Sequence, residues 1–169
     1  MRADYYMELE ESAAEAYYME IVESVESDYY MEPVGKEEAG WEQIGEFKMF
    51  GGDASLDVAT SPGSYDGYAR FLTLTQYEKV RLVGYSGWWN DGTGAPDYAG
   101  FMDVVTQIDY ERMGTINYFN TAAEATDAWV GKSAELNIGD DGLVGWGIDD
   151  YGANNTGTLT FRVYGKPKN

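Results

Sequence analysis

The sequence predicts an all-β fold, a jelly-roll-like β-sandwich that follows an acidic N-terminal segment. Short runs of β-branched and aromatic residues succeed one another from Trp41 to the C-terminus. Clusters of Gly, Asn, Asp and Ser separate these runs, for example at residues 60–67 and 139–142. The chain also has 21 Gly and 15 Tyr but only 4 Pro, a composition typical of short strands joined by tight turns.

Alternation of apolar and polar residues sets the expected strands. In the last run, Leu159, Phe161 and Val163 alternate with polar residues, so we expect their side chains on one buried face. Residues 122–127 are the only segment of this region that looks helical, and residues 87–100 are expected to form a long loop. We predict strands near residues 43–50, 54–59, 69–75, 79–86, 99–108, 115–119, 132–138, 143–148 and 158–164.

Residues 1–40 differ from the β-rich domain predicted for residues 41–169. They hold twelve acidic and two basic residues, a net charge of −10. Tyr-Tyr-Met-Glu occurs three times there, twelve residues apart, and apolar spacing near 3.6 predicts a helix that ends before Pro33. A spacing of twelve would also keep the copies on one face of a strand. The segment is either an attachment or assembly element that supports a homo-oligomer, or a helix packed on its own domain or an acidic tail.

The net charge of the chain limits which classes of binding partner are expected. The chain carries −19 at pH 7, so binding to a phosphate backbone is not expected, whereas cations are favoured. The acidity could equally serve solubility alone. No stretch is long and apolar enough for a membrane span, and the first residues lack the apolar core of a signal peptide. We expect an extracellular or virion-associated protein.

The chain contains no Cys and no His. Catalysis by a Cys nucleophile or an imidazole base is therefore excluded, and of the common metals only those with oxygen ligands, such as calcium or magnesium, remain. Carboxylate pairs could in principle hydrolyse glycosides, but with 30 acidic residues such pairs arise by chance. The sequence predicts a protein without catalysis.

The segment 149–157 has the chemistry that calcium requires. An apolar strand ends there in two carboxylates, and a short Gly-containing loop leads to two adjacent asparagines. Asp supplies charge, Asn supplies amide oxygens, and Gly lets backbone carbonyls turn inward. The same residue types are also good turn formers, so an ordinary hairpin loop is the alternative.

At these residues the chain resembles the galactose-binding-like β-sandwiches, in particular the small calcium-dependent bacterial galactose lectins. Those lectins end in an apolar strand, an Asn-Asp pair, then Tyr-Gly-Asn-Asn-Ser-Gly and a last alternating strand. Here Asp149-Asp150, Tyr151-Gly152 and Asn154-Asn155-Thr156-Gly157 hold the corresponding places, and the run from Tyr77 to Trp88 resembles an upstream strand of the family. The resemblance implies a calcium ion bound by three side chains and by a backbone carbonyl near Trp88; the side chains are those of Asp150, Asn154 and Asn155.

Aromatic and polar residues of the 87–100 loop are candidates for sugar contacts. Aromatic faces stack on sugar rings, and neighbouring carboxylates and amides bind hydroxyls. The alternative is that one or both tryptophans belong to the core. The predicted ligand-binding residues are Trp88, Trp89, Asn90, Asp91 and Tyr98.

The sequence thus predicts a calcium-dependent, lectin-like carbohydrate-binding protein. The alternative is a structural subunit of a virion, appendage or extracellular filament built on the same sandwich.

Overall fold

The computed structural model describes residues 40–55, 57–92, 96–150 and 154–169. Over these residues the fold is β-rich and sandwich-like, which confirms the predicted all-β class. Its strands lie in one antiparallel sheet that is nearly barrel-like. The acidic segment, residues 1–40, lies outside them apart from Gly40. The described elements are β1 (Glu42–Phe50), a 3₁₀ turn (Gly51–Asp53), β2 (Arg70–Thr73), β3 (Tyr77–Asn90), β4 (Tyr98–Thr106), β5 (Tyr110–Phe119), α1 (Ala122–Trp129), β6 (Ser133–Asn137), β7 (Leu143–Gly147) and β8 (Thr156–Pro167).

The strands form one antiparallel sheet in the order β1-β8-β3-β4-β7-β2, to which β5 is added beside β4 and β6 beside β3. Strand β3 is the longest and has two successive neighbours along one edge. Its residues 79–83 pair with β6, and its last two residues pair with β4. Its other edge pairs with β8 over nearly its whole length. Strand β3 therefore joins the two halves of the sheet.

Helix α1 covers the place where β3 passes from one neighbour to the other. A capping box begins the helix, because Thr121 and Glu124 each accept a hydrogen bond from the other's backbone N–H. Trp129, in its last turn, is completely buried, and its indole N–H donates to the Thr160 carbonyl at 3.1 Å. Its ring lies so close to Gly84 that a side chain there would collide with it. Glycine at this position lets the helix approach the sheet.

Alternating apolar residues of the central strands form the core. Leu159, Phe161 and Val163 are all completely buried, so the predicted inward face of the last strand is confirmed. Val80 and Leu82 of β3 are buried as well. The core continues across the sheet through Met102 and Val104 of β4, Leu136 of β6, and Val144 and Trp146 of β7.

Three predicted strand extents are wrong. Strand β5 begins at Tyr110 rather than near residue 115, because its first residues pair with β4. Residues 54–59 do not form a strand: Ser55 makes an isolated bridge to Asp149, and its hydroxyl accepts a hydrogen bond from the backbone of Asp57 to form a turn. The expected loop at residues 87–100 is also shorter. Strand β3 continues to Asn90 and β4 begins at Tyr98, because both pair with neighbouring strands that the local sequence does not reveal. In the described part of the chain, no helix has the length and apolar character needed to cross a membrane.

Candidate functional site

One end of the sheet brings together the connection between β3 and β4 and the connection between β7 and β8. Asn90, the last residue of β3, pairs with Thr156, the first residue of β8. Gly92 has a φ of +69°, and a Cβ on it would come within 2.7 Å of the Asn154 carbonyl oxygen. Glycine is therefore required at this position both by the backbone conformation and by the close approach of the second connection.

The connection between β7 and β8 begins with backbone hydrogen bonds to Ser55, which lies just after the 3₁₀ turn. The backbone N–H of Ser55 donates to the carbonyl of Ile148 at 3.0 Å, and the N–H of Asp150 donates to the carbonyl of Ser55 at 3.3 Å. Asp150 thus has a fixed backbone, and its side chain is only partly exposed.

Asp150 and Asn155, two of the three predicted metal-ligating side chains, are in direct contact. The side-chain N–H of Asn155 donates to Oδ2 of Asp150 at 3.2 Å. Asn155 is only 8% exposed, and among the described residues its Oδ1 is one of two buried side-chain atoms without a hydrogen-bond partner. The third predicted ligand, Asn154, is exposed and lies against Gly92. The oxygen of a buried amide therefore lacks a partner beside a carboxylate.

Tyr118 of β5 belongs to the same end of the sheet. Its ring packs against the buried rings of Trp89 and Phe101, with centroids 5.9 and 6.3 Å away. Burial raises the pKa of the Tyr118 phenol, and the negative charges of Asp150 and Asp91 raise it further. Asp91, a predicted ligand-binding residue, and Asp150, a predicted metal ligand, therefore act on one phenol.

The two adjacent tryptophans of β3 have different surroundings. Trp89 is completely buried, and its indole N–H donates to the Phe101 carbonyl at 3.0 Å, so its ring is part of the core. Trp88 is partly exposed and packs edge to face with Tyr98 at 5.1 Å. Because adjacent residues of a strand point to opposite faces, the Trp88–Tyr98 pair lies on the other side of the sheet from Trp89 and Tyr118. Asn90 shares the face of Trp88.

The backbone carbonyl of Trp88 is the remaining predicted ligand. It faces Gly157 of β8, where a Cβ would come within 2.5 Å of the carbonyl oxygen. The Trp88 ring covers the same glycine. The carbonyl therefore lies within the pairing of β3 and β8.

The donor atoms at this end suit a hard cation only if neutral oxygens contribute. Calcium takes about six to eight oxygen ligands, which can be carboxylates, amide oxygens, backbone carbonyls and water. No group of three or more acidic residues in the described ranges is arranged to hold a metal ion. The Asn155 amide and the Asp150 carboxylate, which are in contact through Nδ2, could supply one neutral and one charged oxygen if the amide turned over. Asp91 adds a second negative charge nearby.

Sequence reasoning missed Tyr118 and its neighbour on β5, Arg112. Arg112 pairs with Asp103 of β4, and its guanidinium lies 5.8 Å from the Phe101 ring. Neither residue lies in a turn cluster or a recognisable motif, and only the pairing of β4 with β5 brings them towards the site. Period-two alternation from Tyr110 to Arg112 is the one local signal that could have placed them on a common face.

Comparison with known proteins adds no relative. The chain matches no protein-family model, no curated protein and no solved structure. The resemblance to calcium-dependent lectins therefore depends on the run from Tyr77 to Trp88 and on the last two strands with their connection.

Proposed function

We propose that this chain is a non-catalytic, calcium-dependent carbohydrate-binding protein. The cation would be held at the end of the sheet by the side chains of Asp150 and Asn155, with neutral oxygens of the two connections completing its shell. Asp91 and Tyr118 would contact the ligand beside the ion. Of the predicted metal ligands, this proposal keeps Asp150 and Asn155 and leaves out Asn154 and the Trp88 carbonyl. It also moves the aromatic contact from Trp89 to Tyr118.

The observation that carries the proposal is the unpartnered Oδ1 of Asn155, which is only 8% exposed. Leaving a buried polar group without a partner costs about 1–3 kcal/mol. Turning the amide over would not help, since Oδ1 would then face the carboxylate of Asp150. With the amide turned over, a cation between Oδ1 and the carboxylate would remove the cost of the unpartnered oxygen. It would also remove the repulsion between the two oxygens, because it attracts both.

The surroundings of the pair favour a sugar as the ligand. The Tyr118 phenol and the carboxylates of Asp91 and Asp150 offer donors and acceptors for hydroxyl groups within a short distance. The Tyr118 ring is held edge-on against two buried aromatic rings, so its position is fixed before a ligand arrives. Fixed aromatic and polar groups of this kind reduce the entropy lost on binding.

Glycan microarray binding of the full chain, in calcium and in EDTA, tests the proposal. We expect binding to a set of glycans in calcium and its loss in EDTA. Asp150→Ala should lose binding in both buffers. The matched control is Asp127→Ala, which removes an exposed carboxylate from α1 and should bind like the wild type. Equal binding in calcium and EDTA, or none in either, contradicts the proposal.

One observation favours the second candidate, a structural subunit. Phe50 at the end of β1 and Phe71 in β2 are 43% and 42% exposed, although both are large apolar residues. They lie on the two strands that end the sheet order, and Arg70 stands 5.6 Å from the Phe50 ring. Exposed apolar residues on edge strands are typical of contacts between subunits.

Sedimentation velocity distinguishes the second candidate from the first. If the chain is a subunit, the full protein should form concentration-dependent oligomers, and the double variant Phe50→Ser, Phe71→Ser should dissociate them. The control Val130→Ser changes an exposed apolar residue that follows α1 and lies on no strand. A monomer at all concentrations would remove this candidate.

A further inference from the structure

Three side chains of β5 line one face of the sheet next to the proposed cation site. Phe101 of β4 lies between two of them, with the Tyr118 ring centroid 6.3 Å away on one side and the Arg112 guanidinium 5.8 Å away on the other. The third, Tyr110, donates its hydroxyl to Asp103 at 2.7 Å. The row Tyr118, Arg112, Tyr110 therefore runs along the sheet from the cation site.

The middle of this row holds a buried ion pair. Asp103 is completely buried, and it accepts hydrogen bonds from Nε and Nη2 of Arg112 at 2.6 and 2.9 Å. The Arg112 side chain remains 27% exposed. A buried ion pair contributes little to stability compared with apolar residues of the same size, because both charges lose their hydration. Its structural effect is to hold the guanidinium in one orientation, with Nε and Nη2 bound to Asp103.

Asp149 links the row to the proposed cation site. It directly precedes Asp150 and acts electrostatically on the row. Hydrogen bonding to Asp103 raises the pKa of Arg112, and the Asp149 charge adds to this rise. Burial raises the pKa of Tyr110 to about 12, with Asp103 as the next cause and Asp149 as a smaller one. The strand register agrees, because Gly147, two residues before Asp149, pairs with Asp103, and Asp103 pairs with Arg112.

The charges of the row decide what kind of ligand fits it. The Arg112 charge is already balanced by Asp103 through two hydrogen bonds. At the Tyr118 end the bound cation would offset the charges of Asp91 and Asp150, so the excess negative charge beside the row is that of Asp149. An anionic sugar would be repelled there, whereas neutral hydroxyls can accept from the guanidinium and donate to the carboxylates.

We propose that Tyr110, Arg112 and Asp149 form a second sugar subsite beside the cation site, so that the chain binds neutral oligosaccharides of at least two rings and rejects acidic ones. This inference rests on the proposed function, because the first ring would sit at the cation. Tyr118 stands between the two subsites and would contact both rings.

Isothermal titration calorimetry of the full chain in calcium tests the second subsite. The probes are galactose, galactobiose and digalacturonate, the last differing from galactobiose in having a carboxylate on each ring. We expect galactobiose to bind at least about tenfold more tightly than galactose, and digalacturonate to bind no more tightly than galactose. A titration of digalacturonate into calcium alone corrects for its own binding of the ion.

Two variants separate the subsite from a structural role. Tyr110→Phe removes one hydroxyl, and Arg112→Lys keeps the charge but removes the planar fork. In each variant galactobiose should bind no more tightly than galactose, and the affinity for galactose should equal that of the wild type. A folding defect would instead lower both affinities. Tyr164→Phe, on β8, is the matched control. Tyr110→Phe also keeps the test valid if Arg112→Lys fails to fold.

The outcomes distinguish this inference from the proposed function. Equal affinities for galactose and galactobiose in the wild type overturn the second subsite but leave a calcium-dependent sugar site standing. Tighter binding of digalacturonate than of galactose overturns the preference for neutral sugars. If neither galactose nor galactobiose binds in calcium, calcium-dependent binding of galactose-containing sugars is contradicted, and so is the second subsite.

Discussion

Two buried side-chain atoms in the described ranges have no hydrogen-bond partner, and they lie in different surroundings. Nε1 of Trp146 is in the core, where the ring packs against Phe47 and Phe161. Oδ1 of Asn155 is at the end of the sheet, beside the Asp150 carboxylate. The first is an N–H donor and the second is an oxygen acceptor, so only the second could ligate a cation.

Replacing Asn155 by leucine should separate metal binding from folding. The variant loses one hydrogen bond to Asp150 but also loses the unpartnered oxygen, so its unfolding free energy in EDTA should stay within about 1 kcal/mol of the wild type. In calcium it should lack the stabilisation that the wild type gains. Urea unfolding in both buffers measures the two effects.

The control for this experiment is Asn117→Leu, which changes an exposed asparagine of β5 and should keep the calcium response. A full calcium response in Asn155→Leu would show that its amide oxygen does not ligate the ion.

Ionisation of Tyr118 should report the same cation. Burial is the main cause of its raised pKa, but the charges of Asp150 and Asp91 contribute. A bound cation offsets these charges, so calcium should lower the Tyr118 pKa towards its ordinary value. Phenolate absorbance during an alkaline titration, with and without calcium, measures the shift.

Tyr118→Phe should abolish the calcium-dependent part of that titration, whereas Tyr164→Phe should retain it. Identical titration curves for the wild type with and without calcium would argue against an ion beside Asp150.

At the scale of elements, alternation predicts the strands well because each strand buries one face. Leu159, Phe161 and Val163 are all buried as expected, and the short helix begins at Ala122 as the sequence indicates. The predicted strand at residues 54–59 is wrong because these residues lie in the connection after the 3₁₀ turn, where Ser55 is the one described residue that forms a β-bridge. Local pattern cannot reveal whether a partner strand is present.

The candidate site was predictable only in part for the same reason. Asp150 and Asn155 are close in sequence, and their contact follows from a short connection. Tyr118 and Arg112 join the site only through the pairing of β4 with β5, including a register shift between Ala99 and Phe101. The burial of Trp89 beneath Tyr118 likewise depends on that pairing, so residue type alone did not separate it from its exposed neighbour Trp88.

Gly84 tests how helix α1 is attached to the sheet. A Cβ there would collide with the Trp129 carbonyl and come within 2.9 Å of its ring. Both groups are fixed by packing, so Gly84→Ala should destabilise the fold by about 1–3 kcal/mol, as overpacking does. Urea unfolding gives the difference.

Gly52→Ala is the matched control, because a Cβ at Gly52 meets nothing within 4 Å. Similar stability of Gly84→Ala and Gly52→Ala would mean that α1 can move away from β3 without loss.

Across the described molecule, charge is unevenly distributed. Lys79 and Arg81 of β3 pair with Glu135, and Arg162 and Lys166 of β8 pair with Glu46 and Glu78. At the other end of β3, the basic side chain next to Asp149 is Arg112, which is already bound to Asp103. The negative potential at that end attracts cations and opposes acidic ligands.

Stability of the whole domain should fall at alkaline pH. Burial raises the pKa of Tyr65, Tyr68, Tyr110 and Tyr118, that of Tyr110 to about 12. A tyrosine ionises near pH 10 in the unfolded chain. The unfolded state therefore loses protons first, so the stabilisation is complete below about pH 10 and disappears as the pH rises towards the folded-state values.

Melting temperatures across this pH range, without calcium, measure the effect. Tyr110→Phe should show a shallower decline than the wild type, because one of the responsible groups is removed. A melting temperature that is constant above about pH 10 would contradict the burial of these phenols.

Thermal unfolding of the full chain in EDTA, in millimolar calcium and in millimolar magnesium tests the central claim most directly. A ligand that binds only the folded state stabilises it by about 2.7 kcal/mol at a hundredfold excess over Kd, which raises the melting temperature of a domain this size by several degrees. We predict that calcium raises it in a concentration-dependent manner and that magnesium has a much smaller effect. No shift in either ion, or equal shifts in both, would contradict a calcium site at Asp150 and Asn155.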